Sequence, residues 1–219
     1  MKITDNLYAF LWNNPSANNC NTYLIEGEKT VLIDPGHYHL LSHIDERLSE
    51  LSLSLQEIDL VVITHAHPDH MEGIKAFLDS ETLISIGESE MDAIKKAAPR
   101  YGKALGISYN KIDILLQEGD LKIGNSMFQV INAPGHSPGS ICLYWPDKKA
   151  LFTGDVVFNQ GIGRTDLPGG NGQLLKESIK KISMLDVEYL LPGHGDIISG
   201  HMDVKANFQD IERMWFGYI

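Results

Sequence analysis

Short apolar runs that end in polar, ligand-type side chains recur along this chain. The clearest run is Val-Val-Ile at residues 61–63, which reaches Thr64 and then a cluster of histidines and an aspartate. The residues of this cluster are His65, His67, Asp69 and His70. A β-branched run of this kind predicts a buried strand whose end opens into a loop. Because chemistry in α/β sheets concentrates at the carboxyl ends of strands, we expect a functional site here.

The remaining hydrophobic pattern predicts strands alternating with helices. The predicted strands are 7–12, 20–26, 30–33, 82–86, 112–116, 121–123, 127–131, 141–145, 150–152 and 187–191, and the predicted helices are 40–51, 71–78, 89–98, 173–185 and 204–215. Ser54 and Glu57 form a possible capping box before the central strand. This order indicates two sheets packed face to face with helices outside, in two pseudo-equivalent halves of one domain over residues 1–219.

Three further predicted strand ends carry metal-type residues. His136 follows the strand 127–131, Asp155 follows 150–152, and His194 follows 187–191. Together with His65, His67, Asp69 and His70 they make a set that suits two divalent ions better than one. Neutral imidazoles and carboxylates are ligands for zinc, iron and manganese alike.

We expect this set to divide between two metals. His65, His67 and His136 would form one site, and Asp69, His70 and His194 would form the other. Asp155 is the natural bridging carboxylate, since its two oxygens can touch both ions. Solvated loop histidines are the alternative, but the number and order of these residues make that interpretation weaker.

Composition narrows the possible partners. The chain has 18 Lys and Arg against 29 Asp and Glu, a net charge of −11, which argues against nucleic acid and against anionic membranes. No apolar stretch approaches the roughly 18 residues of a membrane span, and no signal peptide is visible. Cys20 and Cys142 lie in apolar runs and are expected to be small buried hydrophobes, so a cytoplasmic location fits best.

The ligand motifs resemble those of a known family. Thr64-His65-x-His67-x-Asp69-His70, Pro134-Gly135-His136, Thr153-Gly154-Asp155 and Pro192-Gly193-His194-Gly195 resemble the metallo-β-lactamase superfamily over nearly the whole chain. The resemblance implies an α/β fold, the αββα four-layer sandwich, with a dinuclear site at one edge. The segment Gly163-Arg164-Thr165-Asp166 is similar to one in short hydroxyacylglutathione hydrolase (glyoxalase II)-like proteins and in persulfide dioxygenases.

The resemblance implies a dinuclear metal-dependent hydrolase acting on a small molecule. We expect a thioester, such as a glutathione thioester, to be cleaved by a metal-bridging hydroxide, with Asp69 and Asp155 as catalytic residues. Two divalent ions are expected as cofactors, with Zn²⁺ preferred and Fe or Mn as alternatives. The alternative functions are a mononuclear-iron persulfide dioxygenase and a lactonase or β-lactamase-like hydrolase. Full-length glyoxalase II enzymes carry a longer C-terminal region that holds glutathione, and we expect this chain to lack it, so the identity of the thiol in the thioester stays open.

Several residues keep two interpretations. Asp34 is a candidate to hold a ligand imidazole from behind the metal, or simply a turn residue before Pro35 and Gly36. Arg164 is a candidate substrate-binding residue, or a structural ion-pair partner of Asp166. The other histidines are expected to be ordinary surface residues, although His37 and His39 could line an entrance to the site.

Overall fold

The structure is a computed structural model that describes residues 1–105 and 111–219, with the backbone alone for 97–105. The described chain forms two compact units, Met1–Leu116 and Gln117–Ile219. That the whole chain acts as one domain stays a prediction. Within the described residues, no helix combines the length and apolarity needed to cross a bilayer.

The first unit is a sheet with helices on its connections. Its strands are β1 (Lys2–Thr4), β2 (Leu7–Phe10), β3 (Thr22–Ile25), β4 (Val31–Ile33), β5 (Leu60–Ile63), β6 (Leu83–Gly87) and β7 (Ile114–Leu116). Its helices are α1 (Ser42–Glu50), α2 (Pro68–Met71) and α3 (Glu88–Leu105), with 3₁₀ helices at Tyr38–Leu40, Leu55–Glu57 and Glu72–Phe77.

Strand order in the first unit follows the sequence from β1 to β7. The pairs from β1 to β4 are antiparallel, and those from β4 to β7 are parallel. The central strand β5 is buried at every position, as a parallel strand covered on both faces should be. Helix α1 buries Ile44 and Leu48 in the same core. The parallel register places the carboxyl ends of β4 and β5 side by side.

The second unit has its own sheet and core. Its strands are β8 (Gly119–Ile123), β9 (Ser126–Asn132), β10 (Ile141–Trp145), β11 (Ala150–Gly154), β12 (Val157–Phe158), β13 (Gly161–Ile162), β14 (Tyr189–Pro192) and β15 (Ile198–Ser199). Its helices are α4 (Gly172–Ile182) and α5 (His201–Trp215), with a 3₁₀ helix at Pro146–Lys148. The main sheet runs β15-β14-β11-β10-β9-β8, and β12 pairs with β13.

One parallel pair governs the geometry of the second unit. Strands β11 and β14 run parallel, whereas β9, β10 and β11 alternate in direction. The carboxyl ends of β9, β11 and β14 therefore lie at the same edge of this sheet. Helix α4 starts at the N-cap Asn171, whose side chain accepts from the Leu174 N–H, and it buries Leu175, Ile179 and Ile182.

Most of the predicted elements are confirmed, with boundaries displaced by a few residues. The capping box of Ser54 and Glu57 is present, on a 3₁₀ helix. The predicted start of the helix 71–78 is wrong, since α2 begins at Pro68. Proline suits the first helical position because the N–H of that residue has no partner within the helix, so its absence costs nothing.

The predicted end of the helix 89–98 before Pro99 is also wrong. Helix α3 continues through Pro99 to Leu105, although proline has no N–H to donate within a helix. The pattern also missed four strands, β1, β12, β13 and β15, because each is too short to show an alternation of apolar and polar residues.

Candidate metal centre

In the first unit, Asp34 is the central acceptor of the histidine cluster. Asp34 and Thr64 directly follow the adjacent parallel strands β4 and β5, and the Asp34 N–H donates to the Val62 carbonyl at 3.0 Å. The buried Asp34 carboxylate accepts from the Thr64 backbone N–H at 2.8 Å and from the Thr64 hydroxyl at 2.7 Å. His70 Nδ1 lies 2.8 Å from the same carboxylate. This is the contact that the imidazole-holding interpretation of Asp34 requires.

These hydrogen bonds determine which ring nitrogens can bind a metal. A carboxylate only accepts, so Nδ1 of His70 carries the hydrogen and Nε2 keeps its lone pair when the ring is neutral. The single hydroxyl hydrogen of Thr64 goes to Asp34, so its oxygen accepts from His65 Nδ1 at 3.1 Å. His65 and His70, both fully buried, are therefore held in the tautomer whose lone pair is on Nε2.

The structure brings His65 and His67 together, as their spacing predicts. Nε2 of His65 and Nδ1 of His67 are 3.0 Å apart. Two ligands of one tetrahedral zinc ion, each about 2.1 Å from the metal, are about 3.4 Å apart. The loop that carries both rings is anchored by Glu90, which accepts from the Ala66 N–H at 2.8 Å. The two nitrogens are therefore spaced to share a cation after a small adjustment.

Asp69 is oriented by the loop that precedes β3. The side-chain amide of Asn18 donates to Asp69 Oδ2 at 2.7 Å, and the Cys20 N–H donates to the Asp69 carbonyl at 3.3 Å. These contacts hold both the carboxylate and its backbone. Nothing in the spacing of Asn18 relative to the histidine motif pointed to this contact.

In the second unit, His136, Asp155 and His194 converge at the sheet edge. The Gly193 N–H donates to the Gly154 carbonyl at 2.8 Å, which fixes the residues after β11 and β14 beside each other. Nε2 of His136 lies 3.4 Å, and Nε2 of His194 lies 3.5 Å, from Oδ2 of Asp155. These separations match the roughly 3.4 Å expected between two ligands of one ion. Each of the two histidines is therefore spaced to share a divalent ion with Asp155.

The loop after β13 supports His136. The Arg164 carbonyl accepts from His136 Nδ1 at 2.8 Å, so Nε2 again keeps the lone pair that faces Asp155. Gly163 allows this close approach: a Cβ there would overlap the carbonyl oxygen of Asp155 and lie 3.0 Å from Cγ of His136. The sequence showed a glycine-rich loop but gave no sign that Gly163 is the position under constraint.

The side chain of Arg164 makes the ion pair that was one of its two interpretations. It donates to both oxygens of Asp166, from Nε at 2.8 Å and from Nη2 at 2.7 Å, and both side chains are exposed. The guanidinium lowers the pKa of the Asp166 carboxyl to about 2. A role of Arg164 in substrate binding stays a prediction.

Comparison with known proteins identifies the family. A sequence profile described as "Metallo-beta-lactamase superfamily" matches residues 15–194. The chain belongs to the metallo-β-lactamase superfamily. Members of this superfamily among the solved structures confirm the predicted α/β fold class. One of them is BLEG-1, described as a B3 metallo-beta-lactamase, with a TM-score of 0.72 and 29% identity over 94% of this chain and 96% of that one.

Two further relatives bear on the chemistry of this superfamily member. A hydroxyacylglutathione hydrolase, GloC of Haemophilus influenzae, is 32% identical over 86% of this chain and 91% of its own length. TTHA1623, solved in a di-iron-bound form, is 31% identical over 82% of this chain and 89% of that chain, with a TM-score of 0.64. Superfamily membership and the clustered His and Asp residues indicate a divalent-metal-dependent hydrolase that acts on a small molecule.

Proposed function

We propose that this metallo-β-lactamase superfamily protein is a dinuclear metal-dependent thioesterase of the glyoxalase II type. The observation that carries the proposal is the tautomer of its imidazoles. His65, His70 and His136 each have a hydrogen-bond partner at Nδ1 that leaves Nε2 to bind a cation. All three partners act on Nδ1, so the same ring nitrogen, Nε2, is the metal-binding atom in each case.

The proposed ligand sets follow the two halves of the sequence motif. One ion would be held by His65, His67 and His136, the other by Asp69, His70 and His194, and Asp155 would serve both. The spacing of Asp155 Oδ2 from His136 and His194, 3.4 and 3.5 Å, supports its role as a ligand on both sides. Zn²⁺ fits these donors, and the di-iron-bound relative supports iron as an alternative.

The chain's own residues have distinct tasks in this proposal. Asp34 and Thr64 hold the rings of His65 and His70 in place from behind, and the Arg164 carbonyl does the same for His136. Asp69, oriented by Asn18, aligns the attacking water and accepts its hydrogen bond. Arg164 attracts a substrate carboxylate when it is not paired with Asp166.

Bound divalent ions lower the pKa of a coordinated water and polarise the scissile carbonyl. A thiol, with an ordinary pKa of about 8.5, leaves as a thiolate without a strong general acid. Thioesters therefore suit this set of residues better than amides do. The 32% identity to a hydroxyacylglutathione hydrolase supports a glutathione thioester as the substrate. A cytoplasmic location is part of the proposal, and it is supported by two cysteines that are both buried thiols.

A second candidate function is β-lactam or lactone hydrolysis. The observation that favours it is the similarity to BLEG-1, which covers nearly the full length of both chains. Both candidates would use the same ligands and differ in the leaving group. Substrate profiling therefore separates them without any change of protein.

The test is hydrolysis of S-lactoylglutathione, followed as the loss of thioester absorbance. Protein is loaded separately with Zn²⁺ and Fe²⁺, and the metal content per chain is measured before each assay. We expect turnover that disappears in His136→Ala and in Asp155→Asn. His201→Ala, which removes an exposed histidine, serves as the matched control and should retain full activity.

Each negative result of this assay supports a different alternative function. No thioester turnover in fully loaded protein would reject the thioesterase proposal, and hydrolysis of a chromogenic β-lactam or a lactone would then support the second candidate. Oxygen uptake with glutathione persulfide at one iron per chain would instead identify a persulfide dioxygenase. Full metal loading with none of these activities would favour a non-catalytic metal-binding protein.

A further inference from the structure

A second group of metal-type side chains lies within the first unit, apart from the seven proposed ligands. It consists of His37, His39 and Glu72, and one ligand atom from each lies within 4.8 Å of the other two. Nδ1 of His37 is 3.0 Å from Oε2 of Glu72, and Nδ1 of His39 is 4.0 Å from the same oxygen. We call these residues the His37–His39–Glu72 cluster.

The two nitrogen–oxygen distances in this cluster lie on either side of the distance expected between two ligands of one metal ion. Nitrogen and oxygen ligands of one tetrahedral zinc ion are about 3.4 Å apart, between the two observed separations. The rings of His37 and His39 have centroids 5.1 Å apart and are tilted by 44°. A modest rotation of the exposed His39 ring therefore brings three donors around one position, with the remaining coordination positions open to water.

The segments that carry these ligands are fixed by their backbones. The Gly73 N–H donates to the Gly36 carbonyl at 2.6 Å, and the Gly36 N–H donates to the His70 carbonyl at 3.2 Å. A Cβ on Gly73 would lie 2.6 Å from the Pro35 carbonyl oxygen, so the two segments pack as closely as glycine allows. The ligands therefore lie on two backbone segments that need not move to bind an ion. This lowers the conformational entropy that is lost on binding.

We propose that the His37–His39–Glu72 cluster is a separate binding site for one borderline divalent cation of the Zn²⁺ class. Two imidazoles and one carboxylate are a donor set for such ions rather than for Ca²⁺ or Mg²⁺, which take oxygen ligands. Binding replaces the hydrogen between His37 Nδ1 and Glu72 with the ion, and that hydrogen moves to Nε2 or to solvent. The bound ion links the 3₁₀ helix Tyr38–Leu40 to the 3₁₀ helix Glu72–Phe77 and stabilises the folded state.

Lys75, which contacts Glu72, provides a second way to test the proposed site. Nζ of Lys75 donates to Oε1 of Glu72 at 2.9 Å, so it occupies one carboxylate oxygen and places a positive charge near the cation. Oε2, which faces both histidines, is not the oxygen that Lys75 contacts. Removing the lysine charge should therefore tighten metal binding, whereas removing a histidine should weaken it.

The experiment measures zinc bound per chain in the metal-loaded protein. Holoprotein is dialysed against a series of chelator-buffered Zn²⁺ concentrations, and zinc per chain is counted by mass spectrometry alongside the melting temperature. We expect the wild type to bind one zinc more than His39→Ala, or to bind it at least about tenfold more tightly. Lys75→Gln should bind this zinc up to about fivefold more tightly than the wild type.

His201→Ala is the matched control, because His201 is an exposed imidazole 3.1 Å from a single carboxylate, that of Asp186. It should retain the extra zinc. Loss of that zinc in His39→Ala, with tighter binding in Lys75→Gln, supports the site whether or not the protein hydrolyses thioesters. An extra zinc that survives His39→Ala, or none in the wild type, overturns the proposal. Should His39→Ala fail to fold, unchanged zinc affinity in Lys75→Gln overturns it.

Discussion

Replacing Asp34 by asparagine is expected to change the tautomer of His70. Asparagine keeps the shape of the side chain and tolerates the left-handed backbone of this residue, which has φ of 53°. Its amide oxygen can still accept from the Thr64 N–H, but its NH₂ group then replaces the oxygen that faces both His70 Nδ1 and the Thr64 hydroxyl. To avoid two opposed hydrogens, the ring must move its own hydrogen to Nε2, the nitrogen that the metal requires.

The size of the effect follows from the hydrogen bond that is lost. A buried hydrogen bond to a charged group contributes about 1.5–3 kcal/mol. If that energy is what holds the metal-binding tautomer, its loss weakens metal affinity by about 10- to 150-fold. Removing a residue that orients a ligand histidine typically lowers metal affinity or activity by about 10- to 100-fold, which agrees with this estimate.

Two assays check this prediction. Chelator competition on metal-free protein gives the zinc affinity of Asp34→Asn relative to the wild type. Nitrogen-15 NMR of the histidine rings reports which nitrogen of His70 carries the hydrogen, with no metal involved. Asp186→Asn, at an exposed position, is the control and should behave as the wild type. Zinc affinity within twofold of the wild type, with His70 still protonated at Nδ1, would refute the reasoning.

Three further predictions concern the second unit. Gly163→Ala should lower the free energy of unfolding by about 1–3 kcal/mol because of its steric overlap, whereas Gly161→Ala, with its nearest atom at 3.6 Å, should stay within about 0.5 kcal/mol; equal losses in urea denaturation would contradict this. Burial raises the pKa of the Cys142 thiol to about 12, well above the roughly 8.5 of an exposed thiol. The unfolded chain therefore loses this proton first, and stability falls as the pH rises above about 9. The free energy of unfolding should fall by at most about 1.4 kcal/mol per pH unit. Urea denaturation of Cys142→Ala should not show this fall, and a variant whose stability depends on pH as the wild type's does would contradict the prediction. Arg164→Gln should raise KM for an anionic thioester but not for a neutral one, and Asp166→Asn should not raise either; a charge-independent change in KM would leave Arg164 with only its ion pair.

Much of the fold and the proposed ligand set could be predicted from local pattern. Continuous apolar runs located β5 and β10, and ligand-type residues could be identified because they directly follow such runs. The capping box of Ser54 and Glu57 was also visible, since both partners lie within one helical turn. Boundaries were less accurate, because α3 continues past Pro99 and the 3₁₀ helix over Glu72–Phe77 departs from the expected period of 3.6 residues.

The tertiary structure decided what each of those residues faces. The partners that select the histidine tautomers are far away in sequence: Asp34 is 36 residues from His70, and the Arg164 carbonyl is 28 residues from His136. His37 and Glu72 meet across 35 residues. A side-chain period describes only neighbours within one element, so it indicates which residues share a face but not which atoms meet. The sequence by itself thus determined the donor types and their strand ends, while the hydrogen bonds that orient the donors depend on how the strands pair.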